Sequence, residues 1–194
     1  MKEIKKDLIY LFEDIIEHDI CDRILNFYNT NYTNGINDIS QLPWFEENTH
    51  YWNQLYNTSI GEHIKICRDR MLESCKDAYN VECFSNVTTL VMWKPGKLMA
   101  AHHDNGYEND KDIFFMREYT GVLYINDDYT GGETFILKEG TDEEEISYKA
   151  KKGSLLLFRS DETCEHGVKK VLKGNRLTLS MWYTTDKNHE EGKW

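Results

Sequence analysis

Apolar and polar positions follow two rhythms along this chain, and the change falls near Asn80. Before that point apolar residues recur at helical spacing. In HDICDRILNFYNTN, Ile20, Ile24, Leu25 and Tyr28 share one face, which predicts a helix with His18 or Asp19 at its start. From about 47 to 79, Ile60, Ile64, Cys67, Met71, Leu72 and Cys75 form a stripe that predicts one long helix, weakened at Gly61. Ahead of both, DLIYLF at 7–12 is rich in strand formers and predicts a strand. The segment 31–44, with Asn34-Gly35 and Pro43, predicts a loop.

Beyond Asn80 the helical spacing stops. ECFSNVTTLVMW, YTGVLYIND, ETFILK, EISYKA, SLLLFRS and RLTLSMWYT are short β-rich runs separated by turn signals such as NDDYTGG, KEGTDEEE and KKG. Strands at this spacing predict a sandwich, jelly roll or barrel. The chain therefore reads as mainly β with N-terminal helices, an α+β protein. We expect a single domain over 1–194, with a strand and supporting helices over 1–80 and a β core over 81–186. A length of 194 residues, 40% of them hydrophobic, is enough to bury a sizeable core.

Charge narrows the partners. The net charge of -11 argues against a nucleic-acid partner, because affinity for nucleic acids comes largely from cations neutralising phosphates. A protein or peptide is easier to accommodate. No apolar run approaches the roughly 20 residues a membrane-spanning helix needs. In MKEIKKDLIYLFEDII, Glu13 and Asp14 interrupt any apolar leader core, so the expectation is a cytoplasmic protein. The five cysteines have no paired spacing and read as reduced, buried thiols.

The candidate chemistry begins at KPGKLMAAHHDNGY. In a strand, residues two apart share a face, so His102 and Asp104 can converge while His103 points away. Two ligands leave a metal under-coordinated. His18 and His63 fall in predicted helices, His50 near a loop and His189 in a polar tail, whereas His166 lies between two β runs and can fold back beside His102. Two imidazoles and a carboxylate on one face make the ligand set of non-haem Fe(II) oxygenases, with three positions left open. Arg176 adds a guanidinium able to hold a carboxylate at the far end of a pocket. 2-Oxoglutarate has the matching shape: a keto-acid end for iron and a second carboxylate for Arg176.

With these residues in view, the chain resembles the 2-oxoglutarate- and Fe(II)-dependent dioxygenases, closest to their prolyl 4-hydroxylase-like branch. The resemblance rests on Trp93, Gly96, His102 and Asp104 in WKPGKLMAAHHD, on LYINDDYTGGETFI, and on His166, Arg176 and Trp182. It spans nearly the whole chain and is dense from about 88 to 184. It implies a double-stranded β-helix (jelly roll) with helices packed on one outer face. It implies consumption of O2 and 2-oxoglutarate, release of succinate and CO2, hydroxylation of a protein or peptide side chain, most closely peptidyl proline, and support by ascorbate. It also implies that Tyr124 joins Arg176 on the distal carboxylate, that Thr134 lines the same pocket, and that Arg117 contacts substrate.

Two positions depart from the branch. Trp93 stands where its prolyl hydroxylases usually carry tyrosine, and keeps one N–H donor for a pocket role. Met99 stands where another tyrosine would face the substrate, which opens the alternative of a free amino acid or other small metabolite. Trp182 reads either as barrel core or as pocket wall, and segment 105–115 as a substrate lid or an ordinary loop. A non-catalytic jelly-roll module holding zinc at the same three residues is the reading from another class.

Overall fold

The computed structural model describes residues 1–33, 49–106 and 114–192. The chain opens with a hairpin of β1 (Lys2–Lys5) and β2 (Ile9–Phe12), not the single strand expected at 7–12. Asp7 takes a positive φ of 57° and reverses the chain, a conformation that aspartate tolerates better than most residues. Lys2–Lys5 carries no hydrophobic signature because it is the sheet's edge, where lysines discourage further pairing.

Helix α1 (His18–Thr33) follows as expected and runs past the start of the loop expected at 31–44. The rest of that loop lies outside the described residues. The long helix expected over 47–79 is divided into β3 (Thr49–Tyr51), α2 (Trp52–Leu55) and α3 (Gly61–Tyr79). Thr58 closes α2 by donating its N–H and its hydroxyl to the Leu55 carbonyl at 2.9 and 2.6 Å. The turn then passes so close to α3 that a Cβ on Gly61 would lie 2.1 Å from the Tyr56 carbonyl oxygen. Gly61 is thus the contact that lets α3 begin, and its lack of a side chain matters more than its weak helix propensity. Replacing Gly61 with alanine should lower the unfolding free energy by about 2–4 kcal/mol, read as a lower urea midpoint with unchanged slope.

Ten further strands complete the chain: β4 (Phe84–Trp93), β5 (Met99–His102), β6 (Tyr119–Tyr124), β7 (Thr130–Gly131), β8 (Thr134–Leu137), β9 (Glu144–Tyr148), β10 (Leu155–Arg159), β11 (His166–Val168), β12 (Val171–Lys173) and β13 (Arg176–Thr184). With β1, β2 and β3 they form an antiparallel seven-stranded sheet ordered β1-β2-β10-β6-β13-β4-β3, a four-stranded sheet ordered β5-β11-β8-β9, and a β12-β7 pair. This is a jelly-roll arrangement, one of the three the pattern allows and the one the family resemblance implies.

Strand alternation decides what lies on each side of the large sheet. On β13, Leu177, Leu179, Met181 and Tyr183 face the helices, packing with Ile64, Cys67 and Met71 of α3. The intervening Arg176, Thr178, Ser180 and Trp182 face the barrel interior. On β10 and β6, Leu156, Phe158, Val122 and Tyr124 likewise point inward and meet Ile136 of the smaller sheet. The helices therefore cover one outer face, and the other face is left to build a cavity. All five cysteines are buried free thiols, and burial pushes Cys21 up to about 11. No helix among the described residues is long and apolar enough to cross a membrane.

Candidate metal centre and adjoining pocket

Pairing of β5 with β11 sets His102 directly opposite His166. Asp104 follows, with its Oδ1 3.5 Å from His102 Nε2 and its Oδ2 3.3 Å from His166 Nε2. One ligand atom from each of the three lies within 4.8 Å of the others, the one such metal-ready group among the described residues. Both imidazoles are held in the same way. His102 Nδ1 lies 3.0 Å from the Ala100 carbonyl and His166 Nδ1 lies 3.1 Å from the Cys164 carbonyl. An Nδ1–H donated to a carbonyl leaves each Nε2 lone pair facing the cluster.

Burial alone would raise the Asp104 carboxyl, but the two imidazoles beside it outweigh that and hold it well below the usual carboxylate range. Burial would lower His102, and the Asp104 carboxylate more than offsets it, so His102 is raised. A carboxylate kept ionised between two Nε2 atoms is a donor set for a divalent cation of intermediate softness, and ferrous iron fits it.

His102 and Asp104 do converge, but not by strand alternation. β5 ends at His102, and Asp104 is carried inward by the bend that follows. His103 lies among the residues lining the cavity and, as expected, is not one of the ligand group.

The cluster opens into a cavity of about 500 Å³ that also reaches Arg176, Thr134, Trp93 and Trp182. Arg176, at the start of β13, is 2% exposed. Its guanidinium donates to Thr134 Oγ1 at 3.1 Å, and the Tyr124 hydroxyl lies 2.7 Å from the same oxygen. The rings of Trp93 and Tyr124 flank the guanidinium at 5.5 and 5.4 Å. No carboxylate among the described residues forms an ion pair with it, and Arg176 Nε, Trp93 Nε1 and the Tyr129 hydroxyl are buried without a hydrogen-bond partner. A buried cation among orphaned donors calls for an anion. A dicarboxylate with a chelating keto acid at one end meets both requirements of this cavity.

The backbone around Arg176 explains its neighbours in sequence. Asn126 accepts from Leu177 N at 2.8 Å and donates to the Asn175 carbonyl at 2.8 Å, clipping the end of β6 to the start of β13. Gly132, at φ 70°, passes so close that a Cβ there would lie 3.1 Å from Arg176 Cδ. Toward the mouth, Arg117 is sandwiched between Phe114 at 4.1 Å and Trp182 at 4.2 Å. Trp182 is thus a wall of the cavity, which Met99 also lines. The segment 105–115, read as a substrate lid or an ordinary loop, lies largely outside the described residues.

Four residues went unnoticed in the sequence. Asn126 and Tyr129 shortly precede Gly131-Gly132 in LYINDDYTGGETFI, and their proximity to that pair is a usable signal. Thr120 donates to Asp104 Oδ2 at 2.6 Å and meets Ser160 Oγ at 2.8 Å, and no sequence spacing announces either.

Residues 87–184 match the family described as the 2OG-Fe(II) oxygenase superfamily. Among curated proteins, the chain is 35% identical over 81 residues to prolyl 3-hydroxylase 3 of Mus musculus, covering 42% of this chain and 11% of that protein. It is 36% identical over 78 residues to prolyl 3-hydroxylase 2 of Homo sapiens, covering 40% of this chain and 11% of that one. This chain therefore corresponds to a small part of these relatives. Among solved structures, a prolyl hydroxylase from Trichoplax adhaerens, in complex with a hypoxia inducible factor peptide fragment, aligns with a TM-score of 0.74 at 16% identity, over 95% of this chain and 86% of that one. A viral collagen prolyl hydroxylase from Paramecium Bursaria Chlorella virus-1, as its 2OG complex, aligns at 0.67 and 17% identity, over 93% and 97%. At such identities these two likenesses speak to the fold.

Proposed function

This chain belongs to the 2OG-Fe(II) oxygenase superfamily, and from that premise we propose that it hydroxylates prolyl residues of a peptide or protein. The chain is a 2-oxoglutarate-dependent dioxygenase with Fe(II) as its metal. Bound there, iron supplies the oxidising chemistry that splits O2 between succinate, formed with CO2 from 2-oxoglutarate, and a hydroxyl group on the substrate. In this reading His102, Asp104 and His166 hold the metal through two Nε2 atoms and one carboxylate oxygen. Arg176 and the hydroxyls of Tyr124 and Thr134 grip the far carboxylate of 2-oxoglutarate, while the Trp93 ring walls that end and keeps water out. Ascorbate supports sustained turnover.

The observation that carries this reading is one cavity bounded by the His-Asp-His cluster and by a buried arginine that has no acidic partner among the described residues. The prolyl assignment draws on the relatives named above and on the mouth. Met99 and Trp182 present an apolar, aromatic surface suited to a pyrrolidine ring, with the Arg117 guanidinium stacked against Trp182. The non-catalytic zinc module loses its footing, because it gives Arg176 nothing to bind.

Incubation with Fe(II), 2-oxoglutarate, ascorbate and a panel of proline-containing peptides should add one oxygen atom to proline, with succinate formed in equal amount. Fragmentation mass spectrometry locates the residue, and NMR of the product tells carbon 3 from carbon 4. Oxygen entering only free amino acids or other small metabolites would replace the peptide reading with the alternative that Met99 raises.

A further inference from the structure

The carboxylate of Asp104 straddles the two histidines. Its Oδ1 lies 3.5 Å from His102 Nε2 and its Oδ2 lies 3.3 Å from His166 Nε2, so the histidines alone do not select which oxygen meets a metal. A third contact breaks the tie. Among the described residues only Oδ2 accepts a hydroxyl bond, from Thr120 Oγ1 at 2.6 Å. We infer that Thr120, backed by Ser160, is a positioning residue that holds Oδ2 of Asp104 back and leaves Oδ1 as the single carboxylate donor.

Proton bookkeeping gives the hydroxyl pair a direction. A threonine hydroxyl has one proton, and an ionised carboxylate can only accept. With the Thr120 proton committed to Asp104, the 2.8 Å contact between Thr120 and Ser160 is filled by the Ser160 proton. The chain therefore runs from Ser160 to Thr120 to Asp104. Thr120 is 2% exposed and Ser160 fully buried, so bulk water does not compete. The backbone fixes both ends. Thr120 pairs with Phe158 across β6 and β10, Ser160 N donates to the Glu118 carbonyl at 3.0 Å, and Asn105 N donates to the Ser160 carbonyl at 2.9 Å. Ser160 thereby grips the Asp104 bend twice, once through the main chain and once through Thr120.

The consequence concerns coordination number. A carboxylate binding through both oxygens would occupy two positions and leave two of six for other ligands. End-on binding leaves three, the number taken by a bidentate 2-oxo acid and dioxygen together. Chelation would draw Oδ2 toward the metal and against the pull of the Thr120 bond. Thr120 thus sets the affinity for co-substrate more than the affinity for metal. The inference does not depend on which substrate is hydroxylated.

The test uses the full chain without oxygen or substrate, loaded with Co(II) as a spectroscopic probe. In Thr120→Val, Co(II) affinity should stay within about threefold or tighten, while 2-oxoglutarate affinity of the loaded protein falls on the order of tenfold, as expected for loss of a hydrogen bond to a charged group. The visible Co(II) spectrum should differ from the parent before 2-oxoglutarate is added. Thr120→Ser should restore both readouts, and Ser160→Ala should shift them the same way by less. An unchanged spectrum and 2-oxoglutarate affinity in Thr120→Val overturn the inference. Equal losses of metal and 2-oxoglutarate affinity also overturn it, because they mean that the carboxylate has simply come loose. Should Thr120→Val fail to fold, Ser160→Ala decides alone, and parent-like behaviour there is the overturning result.

Discussion

Replacing His166 with alanine is expected to abolish metal-dependent turnover while leaving the fold intact. The imidazole is one of three ligands, and its removal leaves a histidine and a carboxylate, a pair common on protein surfaces and weak as a metal site. The loss should exceed the roughly 10–100-fold that removal of a neighbouring hydrogen-bond partner costs at metal sites. In structural terms the ring is easily spared, since its contacts are the Cys164 carbonyl at 3.1 Å, Asp104, His102 and the Phe158 ring. The decisive comparison is His103→Ala. That residue lines the same cavity yet stands outside the ligand group. Metal titration and succinate release should fall away in His166→Ala and survive in His103→Ala. If both variants keep their iron, or both lose it, the three-residue centre is wrong.

The parts of this site legible in the sequence are those whose cause is local or compositional. RLTLSMWYT reads as a β-rich run, and alternation along the strand it forms puts Arg176 inside and Leu177 outside. His102 and Asp104 were visible as a pair, although the stated reason was wrong, because the strand stops at His102 and the bend does the rest. What stayed hidden depends on register between distant strands. Thr120 is an ordinary β-branched residue in YTGVLY until pairing with β10 brings Ser160 and Asp104 to its hydroxyl. Gly61 shows the same limit in the helical half. Periodicity ran straight through it, since a stripe of apolar residues records which face is buried and not where the backbone folds against its own turn. Tyr129 takes its meaning from Arg176, which is buried with no carboxylate beside it among the described residues.

Arg176→Met should separate stability from binding by moving them in opposite directions. In the free protein Arg176 is a buried cation with one hydrogen bond to Thr134, no ion pair among the described residues, and Nε unmatched. Replacing such a charge with an apolar side chain of similar length is neutral or stabilising by roughly 1–4 kcal/mol, because the desolvation penalty disappears. The cation–π contacts with Trp93 and Tyr124 reduce the gain without reversing it. With 2-oxoglutarate present the ledger inverts. A buried carboxylate deprived of its charge partner loses roughly 2–5 kcal/mol, which amounts to about 30- to several-thousand-fold in affinity. Thermal unfolding should therefore show the variant's midpoint at or above the parent's without 2-oxoglutarate. Millimolar 2-oxoglutarate added to the metal-loaded proteins should raise the parent's midpoint further and leave the metal-loaded variant's where it was. Metal affinity should be the same in both, since His102, Asp104 and His166 are untouched. A variant that unfolds early in every condition yet keeps its 2-oxoglutarate affinity would make Arg176 a structural residue, and the far end of the cavity would need another occupant.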